Sequence, residues 1–193
     1  MGKSTAALRF RHNGVPVVDA DAIVHELYSG AAVGPIEAAF PGVVVEGRID
    51  RQALSARLLA DPTGFKTLET IVHPMVQTAE RQELAAAAAA GASMAVLEIP
   101  LLFETGGHKR VDVTVIVSAA AEIQRARVLQ RPGMTAEKLD AILKRQMSDF
   151  DKRALSDFVV ETNGDIASTN AQIDAIVVSL RGKSGDAYRR YWV

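Results

Sequence analysis

The chain opens Met1-Gly2-Lys3-Ser4-Thr5, which fills the closing places of a phosphate-binding loop of the form G-x-x-x-x-G-K-[ST]. In such a loop a buried strand runs into a glycine-rich turn and then into a helix. Backbone N–H groups surround the phosphates, the lysine reaches the β- and γ-phosphates, and the following hydroxyl binds Mg²⁺. Gly2, Lys3 and Ser4 hold the last three defined positions, and the amphipathic run over 5–13 supplies the helix. The strand and first glycines of the pattern would precede residue 1. A match this short arises by chance, and a lysine near a terminus is commonly just solvated. The segments further along the chain give the reading its force.

Val15-Pro16-Val17-Val18 is a short apolar run ending at Asp19-Ala20-Asp21, a buried parallel strand with two acids at its carboxyl end. A helix begins at Ala22. Asp50 caps a second helix that stops near Asp61-Pro62, and a long helical stretch over 62–90 is expected to be interrupted or bent at His73-Pro74. Its alanine run closes on Gly91, a C-cap. Further strands are expected over 94–99, 111–117 and 158–160. Helices are expected over 122–130, after Thr135, and over 166–180, with a break at Pro132-Gly133. The last stretch, 181–193, is basic and aromatic and carries no assigned role. Alternating strands and helices imply a three-layer α/β/α sandwich with a mostly parallel sheet. Ligands of such sheets lie outside the strand carboxyl ends. That rule gathers residues 2–5, Asp19-Ala20-Asp21, residues 100–104 and the Asn163 turn at one edge.

Composition narrows the function. With 193 residues the expectation is one domain, and 22 Lys and Arg against 23 Asp and Glu give a net charge of -1, without the basic field of a nucleic-acid binder. The absence of cysteine removes disulfides, thiolate metal sites and thiol nucleophiles and fits a reducing cytosol. No apolar run reaches the ~18 residues of a membrane span, and Lys3 is followed by no signal-peptide core, so a cytoplasmic protein is expected. The four histidines show no metal-ligand spacing.

Phosphoryl transfer needs charge neutralisation, positioning and a group that takes the acceptor's proton. Lys3 and Ser4 suit the first task, with Ser4 a ligand of Mg²⁺. Asp21 could orient and deprotonate an acceptor hydroxyl, with Asp19 supporting it. Alone, acids at a strand-to-helix turn are more often N-caps; opposite a phosphate-binding lysine a catalytic role is favoured. Arg125, Arg127 and Arg131, with Lys144, Arg145, Lys152 and Arg153 beyond them, read either as a solvated basic face or as a mobile lid that closes on phosphates. Arg127 and Arg131 are expected as i,i+4 neighbours on one helix face. Glu98 and Glu104 flank an apolar run read as core and substrate wall.

Taken together these segments resemble the dephospho-CoA kinase family over nearly the whole chain. The resemblance rests on Gly2-Lys3-Ser4-Thr5, on Gly14-Val15-Pro16-Val17-Val18-Asp19-Ala20-Asp21, on Asp50-Arg51 and on Ile71-Val72-His73-Pro74. It continues through Glu98-Ile99-Pro100-Leu101-Leu102-Phe103-Glu104, Arg127 with Arg131, Gln146-Met147, and Asp157-Phe158-Val159-Val160 leading to Asn163-Gly164. The D-A-D turn combined with P-L-L-F-E is the specific part. The resemblance implies a P-loop kinase fold with a core (1–22, 92–124 and 154–193), a helical CoA-binding lobe (about 23–91) and a helical lid (about 125–153). The implied reaction moves the ATP γ-phosphoryl group to the ribose 3′-hydroxyl of dephospho-CoA, the last step of coenzyme A synthesis.

Carried over by position, Asp21 is the base, and Gly2, Lys3, Ser4 and Thr5 serve ATP and Mg²⁺. Asn163 lies near the adenine, Arg131 belongs to the lid, and Asp19, Arg51 and His73 serve the acceptor. The implied partners are dephospho-CoA and ATP, with no nucleic acid or membrane, in a monomer or weak homo-oligomer. Family members carry a strand and full glycine loop ahead of Gly2, so the natural start is expected upstream of Met1; a chain without them is expected to bind ATP weakly. Two alternatives stay open. One is another small P-loop kinase of nucleosides or nucleotides, and the other a non-catalytic remnant that binds CoA-like ligands.

Overall fold

The computed structural model describes residues 2–144 and 146–193; Met1 and Arg145, the latter one of the basic residues grouped with the lid, lie outside it. The elements run α1 (Lys3–His12), β1 (Val17–Asp19), α2 (Ala20–Leu27), α3 (Val33–Ala39), β2 (Val44–Val45), β3 (Arg48–Ile49), α4 (Arg51–Ala60) and α5 (Gly64–Ala89). They continue with β4 (Val96–Glu98), a 3₁₀ turn (Gly107–Arg110), β5 (Val115–Ser118), α6 (Ala121–Leu129), α7 (Ala136–Leu143), α8 (Asp149–Leu155), β6 (Phe158–Glu161), α9 (Ile166–Leu180) and α10 (Ala187–Tyr191). The chain divides into two compact units: Met1–Val17 with Ala90–Val193, and Val18–Ala89.

The first unit is built on short strands. β5 and β6 pair in parallel, Val115 opposite Phe158 and Ser118 opposite Glu161. At the start of β4 the Val96 N–H donates to the Pro16 carbonyl at 2.8 Å. Helices α1 and α9 pack on this framework through Ala6, Phe10, Ile173, Ile176 and Val177, which close over Val15 and Val160. The β-branched residues expected for buried strands supply the strand side of that core. α1 and α9 are also tied by Asp174, which accepts from Arg9 Nε and Asn13 Nδ2, both at 2.7 Å.

The second unit has its own core of Ala32, Ile36, Val43, Ile49, Leu54, Leu58 and Val72. Asp50 caps α4 as expected, its Oδ1 accepting from the N–H groups of Gln52 (2.8 Å) and Ala53 (3.1 Å). The hairpin of β2 and β3, which turns through Glu46 and Gly47, was outside the sequence expectation, because two-residue strands carry no readable alternation. One expectation is corrected. α5 is not interrupted at His73-Pro74; it runs through Pro74 from Gly64 to Ala89. Proline removes a single N–H from the ladder, and the many remaining turns, with Val72 and Leu84 buried, outweigh that loss. The helix then ends where Gly91 takes φ 79°, as the C-cap reading requires. Among the described residues no helix is long and apolar enough to cross a membrane.

Candidate active site

In the first unit the start of α1 meets the carboxyl ends of the strands. Gly2 is the N-cap of α1 with φ 101° and brings no side-chain cap. A Cβ there would lie 3.2 Å from Val117 Cγ1 and 3.3 Å from Thr162 Cγ2. Glycine is therefore needed twice, for the left-handed backbone and for the close approach to the ends of β5 and β6. The first turn of α1 offers backbone N–H groups at the positive end of the helix, an arrangement that favours phosphate.

Lys3 Nζ sits 2.6 Å from Glu98 Oε1, at the last residue of β4; the Glu98 side chain is 5% exposed and that of Lys3 37%. A carboxylate this buried needs a cationic partner, and Lys3, still open to solvent on one side, holds its charge at the strand end. Ser4 and Thr5 are exposed in the same helical turn. The Asn163 turn follows β6, its Oδ1 accepting the Ala120 N–H at 2.7 Å and so fixing the approach to α6. Gly2, Lys3, Glu98, Thr162 and Asn163 thus form one edge. The role of Glu98 was missed because its partner lies 95 positions away; an acid closing a buried strand was the one local signal.

The remaining acidic and acceptor-side candidates belong to the second unit. Asp19 closes β1 and caps α2, its Oδ1 accepting from the N–H groups of Asp21 (3.0 Å) and Ala22 (3.1 Å). Its structural role is the capping one. Asp21 lies exposed in the first turn of α2, where a negative charge suits the helix dipole. Arg51 opens α4 with its guanidinium 5.4 Å from the Tyr28 ring centroid. Burial pushes the Tyr28 hydroxyl above its usual range, and the Arg51 charge opposes that rise. His73 is exposed on α5.

The basic residues over 125–153 separate into different kinds. Arg125 pairs with Asp140 at 2.7 Å and ties α6 to α7, while Lys152 pairs with Glu104 (2.9 Å) and Arg153 with Glu161 (2.6 Å). Arg131 is exposed and makes no ion pair among the described residues. The expected Arg127 and Arg131 face is corrected: α6 ends at Leu129 with Gln130 as C-cap, so Arg131 lies beyond the helix. Pro132 is the reason, since it disfavours helical backbone at the residue before it.

Among the described residues no group of three or more His, Cys, Asp or Glu could hold a metal ion. The oxygen donors at the α1 edge, the Ser4 hydroxyl and the Glu98 carboxylate, nevertheless suit Mg²⁺. That cation takes hard oxygen ligands and keeps several of its waters beside substrate phosphates, without a full protein cage.

A family model described as dephospho-CoA kinase matches residues 1–168. The dephospho-CoA kinase of Mesorhizobium japonicum is 54% identical over 185 residues, covering 96% of this chain and 94% of that protein. That of Rhizobium meliloti is 55% identical over 181 residues, covering 94% and 93%. A solved structure from Thermus thermophilus is similar with a TM-score of 0.81 at 35% identity, covering 94% of this chain and 93% of that one. The dephospho-CoA kinase of Campylobacter jejuni shares the fold, with a TM-score of 0.69 at 22% identity over 93% and 91% of the two chains. On a match of this extent, over a P-loop edge and an α/β core, the chain belongs to the dephospho-CoA kinase family.

Proposed function

We propose that the chain transfers the γ-phosphoryl group of ATP to the ribose 3′-hydroxyl of dephospho-CoA, giving CoA and ADP. The observation that carries this reading is the Lys3–Glu98 pair at 2.6 Å, set at the helix start where Gly2 packs on Val117 and Thr162. An incoming phosphate would exchange Lys3's carboxylate partner for a phosphate oxygen, at a helix end already suited to anions. The N–H groups of Gly2 to Thr5 and the Lys3 ammonium neutralise the β- and γ-phosphates. Ser4, with Glu98 beside Lys3, would hold Mg²⁺, which when bound spreads phosphate charge in the transition state. Asn163 borders the adenine.

On the acceptor side Asp21 takes the proton of the 3′-hydroxyl. The new bond forms between that oxygen and the γ-phosphorus as the bond to the β–γ bridging oxygen breaks, and ADP leaves. Asp19 supports this by fixing the Asp21 N–H, and so the start of α2. Arg51 and His73, exposed on α4 and α5, serve the phosphate or adenine of the acceptor. Residues of about 23–91 are then the CoA-binding lobe, and residues of about 125–153 are a lid that carries Arg131.

Conversion of dephospho-CoA to CoA by this chain with ATP and Mg²⁺ tests the reading, beside Asp21→Asn and Lys3→Met. Losing one catalytic proton acceptor should lower kcat about 10²- to 10⁴-fold in Asp21→Asn, with ATP binding kept. Lys3→Met should weaken both. Phosphorylation of a nucleoside in preference to dephospho-CoA would move the assignment to another small kinase. Binding of dephospho-CoA by a folded protein without turnover would favour the non-catalytic alternative.

A further inference from the structure

Glu104 has no part in the chemistry above, yet it is one of the most heavily engaged acids in the first unit. It ends the Pro100-Leu101-Leu102-Phe103-Glu104 segment that leaves β4. Its Oε1 accepts the backbone N–H of Met147 at 2.8 Å and lies 2.9 Å from Lys152 Nζ. The two side chains keep only 16% and 21% exposure, so the pair is better shielded than an ordinary surface ion pair. Burial raises the Glu104 carboxyl, but hydrogen bonds from Lys152 and from the N–H groups of Glu104 and Met147, with the Lys152 charge, leave it below its ordinary value. The backbone beneath is held too: Phe103 is buried, and its ring lies 5.2 Å from that of His108.

Met147 and Lys152 bracket Ser148, the N-cap of α8. From there α8 is fastened to the strands. Asp149 accepts from Ser118 Oγ at 2.9 Å, and Arg153 reaches both Ser118 Oγ (3.1 Å) and Glu161 (2.6 Å). The stretch between β5 and α8 therefore leaves the core at a turn fixed by Asn163 and returns at a point fixed by Glu104. Within it α6 and α7 are joined to each other by Arg125 and Asp140, and Arg131 stands at the turn between them.

We propose that Glu104 is the positioning residue that sets where this excursion rejoins the core, and thereby the reach of Arg131 towards the transferred phosphoryl group. The inference rests on the kinase reading given above. Glu104 touches no reacting atom; it acts through Met147 and Lys152. Misplacement of a charged group by about an ångström is enough to matter in phosphoryl transfer.

The test compares the full-length protein with Glu104→Ala, Glu104→Gln, Lys152→Met, Arg131→Ala and the Glu104→Ala/Arg131→Ala pair. Glu104→Ala should lower kcat about 10- to 100-fold, with KM for dephospho-CoA within about twofold. Glu104→Gln keeps an oxygen for the Met147 N–H and should recover most of that loss, and Lys152→Met should resemble it. Because both residues act through one element, the double variant should be no worse than Arg131→Ala alone. Hydrogen exchange read without substrates should quicken over 121–147 in Glu104→Ala and stay unchanged in β6 and α9. Losses that multiply in the double variant, or wild-type kcat in Glu104→Ala, would overturn the proposal. Should Glu104→Ala not fold, Glu104→Gln and Lys152→Met carry the same comparison with Arg131→Ala. An inactive wild type would count against the kinase reading alone, and exchange unchanged over 121–147 against the positioning role alone.

Discussion

Asp174 illustrates how a single residue joins distant parts of the first unit. Hydrogen bonds from Arg9 and then Asn13, opposed by burial and aided by the Arg9 charge, hold its carboxyl down from 3.8 to about 2. The ionised form is thus favoured in the folded state. The stability it contributes is complete above the unfolded value and disappears as pH falls from 3.8 through 2. Asp174→Asn should lower Tm by a constant amount above about pH 4, and the gap should close towards pH 2. A gap that persists unchanged at pH 2 would mean that the α1–α9 tie is not electrostatic. Residues of this kind divide by how local their partners are. The caps at Asp19 and Asp50 were readable, because cap and acceptor lie two or three positions apart. The expectation of a phosphate ligand at Lys3 came from the local G-K-S-T pattern, whereas its pairing with Glu98 and the clasp of Glu104 on Met147 and Lys152 were not readable, since no local pattern encodes a partner that far along the chain.

Among the elements, the least readable was the last. Five residues of α10 are too few to show a helical period, and an isolated helix of that length is unstable in water. It forms because it docks. Asp112 Oδ1 accepts from the N–H groups of Asp186 (2.8 Å) and Ala187 (2.9 Å), a cap supplied from outside the helix. Gly185 comes so near that a Cβ there would meet Asp112 Cγ at 2.2 Å. Trp192 is 5% exposed, donates Nε1–H to the Arg110 carbonyl at 2.8 Å, and has the Arg110 guanidinium 4.9 Å from its ring. Trp192→Ala should therefore destabilise the protein by roughly 3–5 kcal/mol in urea unfolding. A loss below about 1 kcal/mol, the value of a surface substitution, would show that the tail is not docked in solution. The long elements were legible for the opposite reason. α9 spans 15 residues, enough for buried Thr169, Ile173, Ile176 and Val177 to mark one face. α5 was legible in extent, and at Pro74, where an interruption or a bend was expected, the helix is not interrupted: packing along the rest of it overrode a local breaker.

For the molecule as a whole, the two units answer to separate cores. Ile36 is fully buried among side chains that all fall within Val18–Ala89, and Ile173 is fully buried among side chains of the other unit. Alternation of strands and helices made the α/β class legible, but a hydrophobic pattern shows only which residues are buried and not which of them share a core. Truncation separates the two. Ile36→Ala and Ile173→Ala each remove a fully buried aliphatic group, and each should cost about 2–5 kcal/mol. Their effects should differ in place. Native-state hydrogen exchange of Ile36→Ala should show lost protection in α3, α4 and α5 while β6 and α9 keep theirs, and Ile173→Ala should show the reverse. If Ile36→Ala lowers protection equally in α9, opening of the second unit takes the first with it, and the protein unfolds as a single cooperative body. If protection is lost only where the side chain was cut, each unit opens on its own. Under the proposed mechanism the acceptor lobe could then move without disturbing the phosphate-binding edge. In that case Ile36→Ala, measured well below its Tm, should raise KM for dephospho-CoA and leave the affinity for ATP within about twofold.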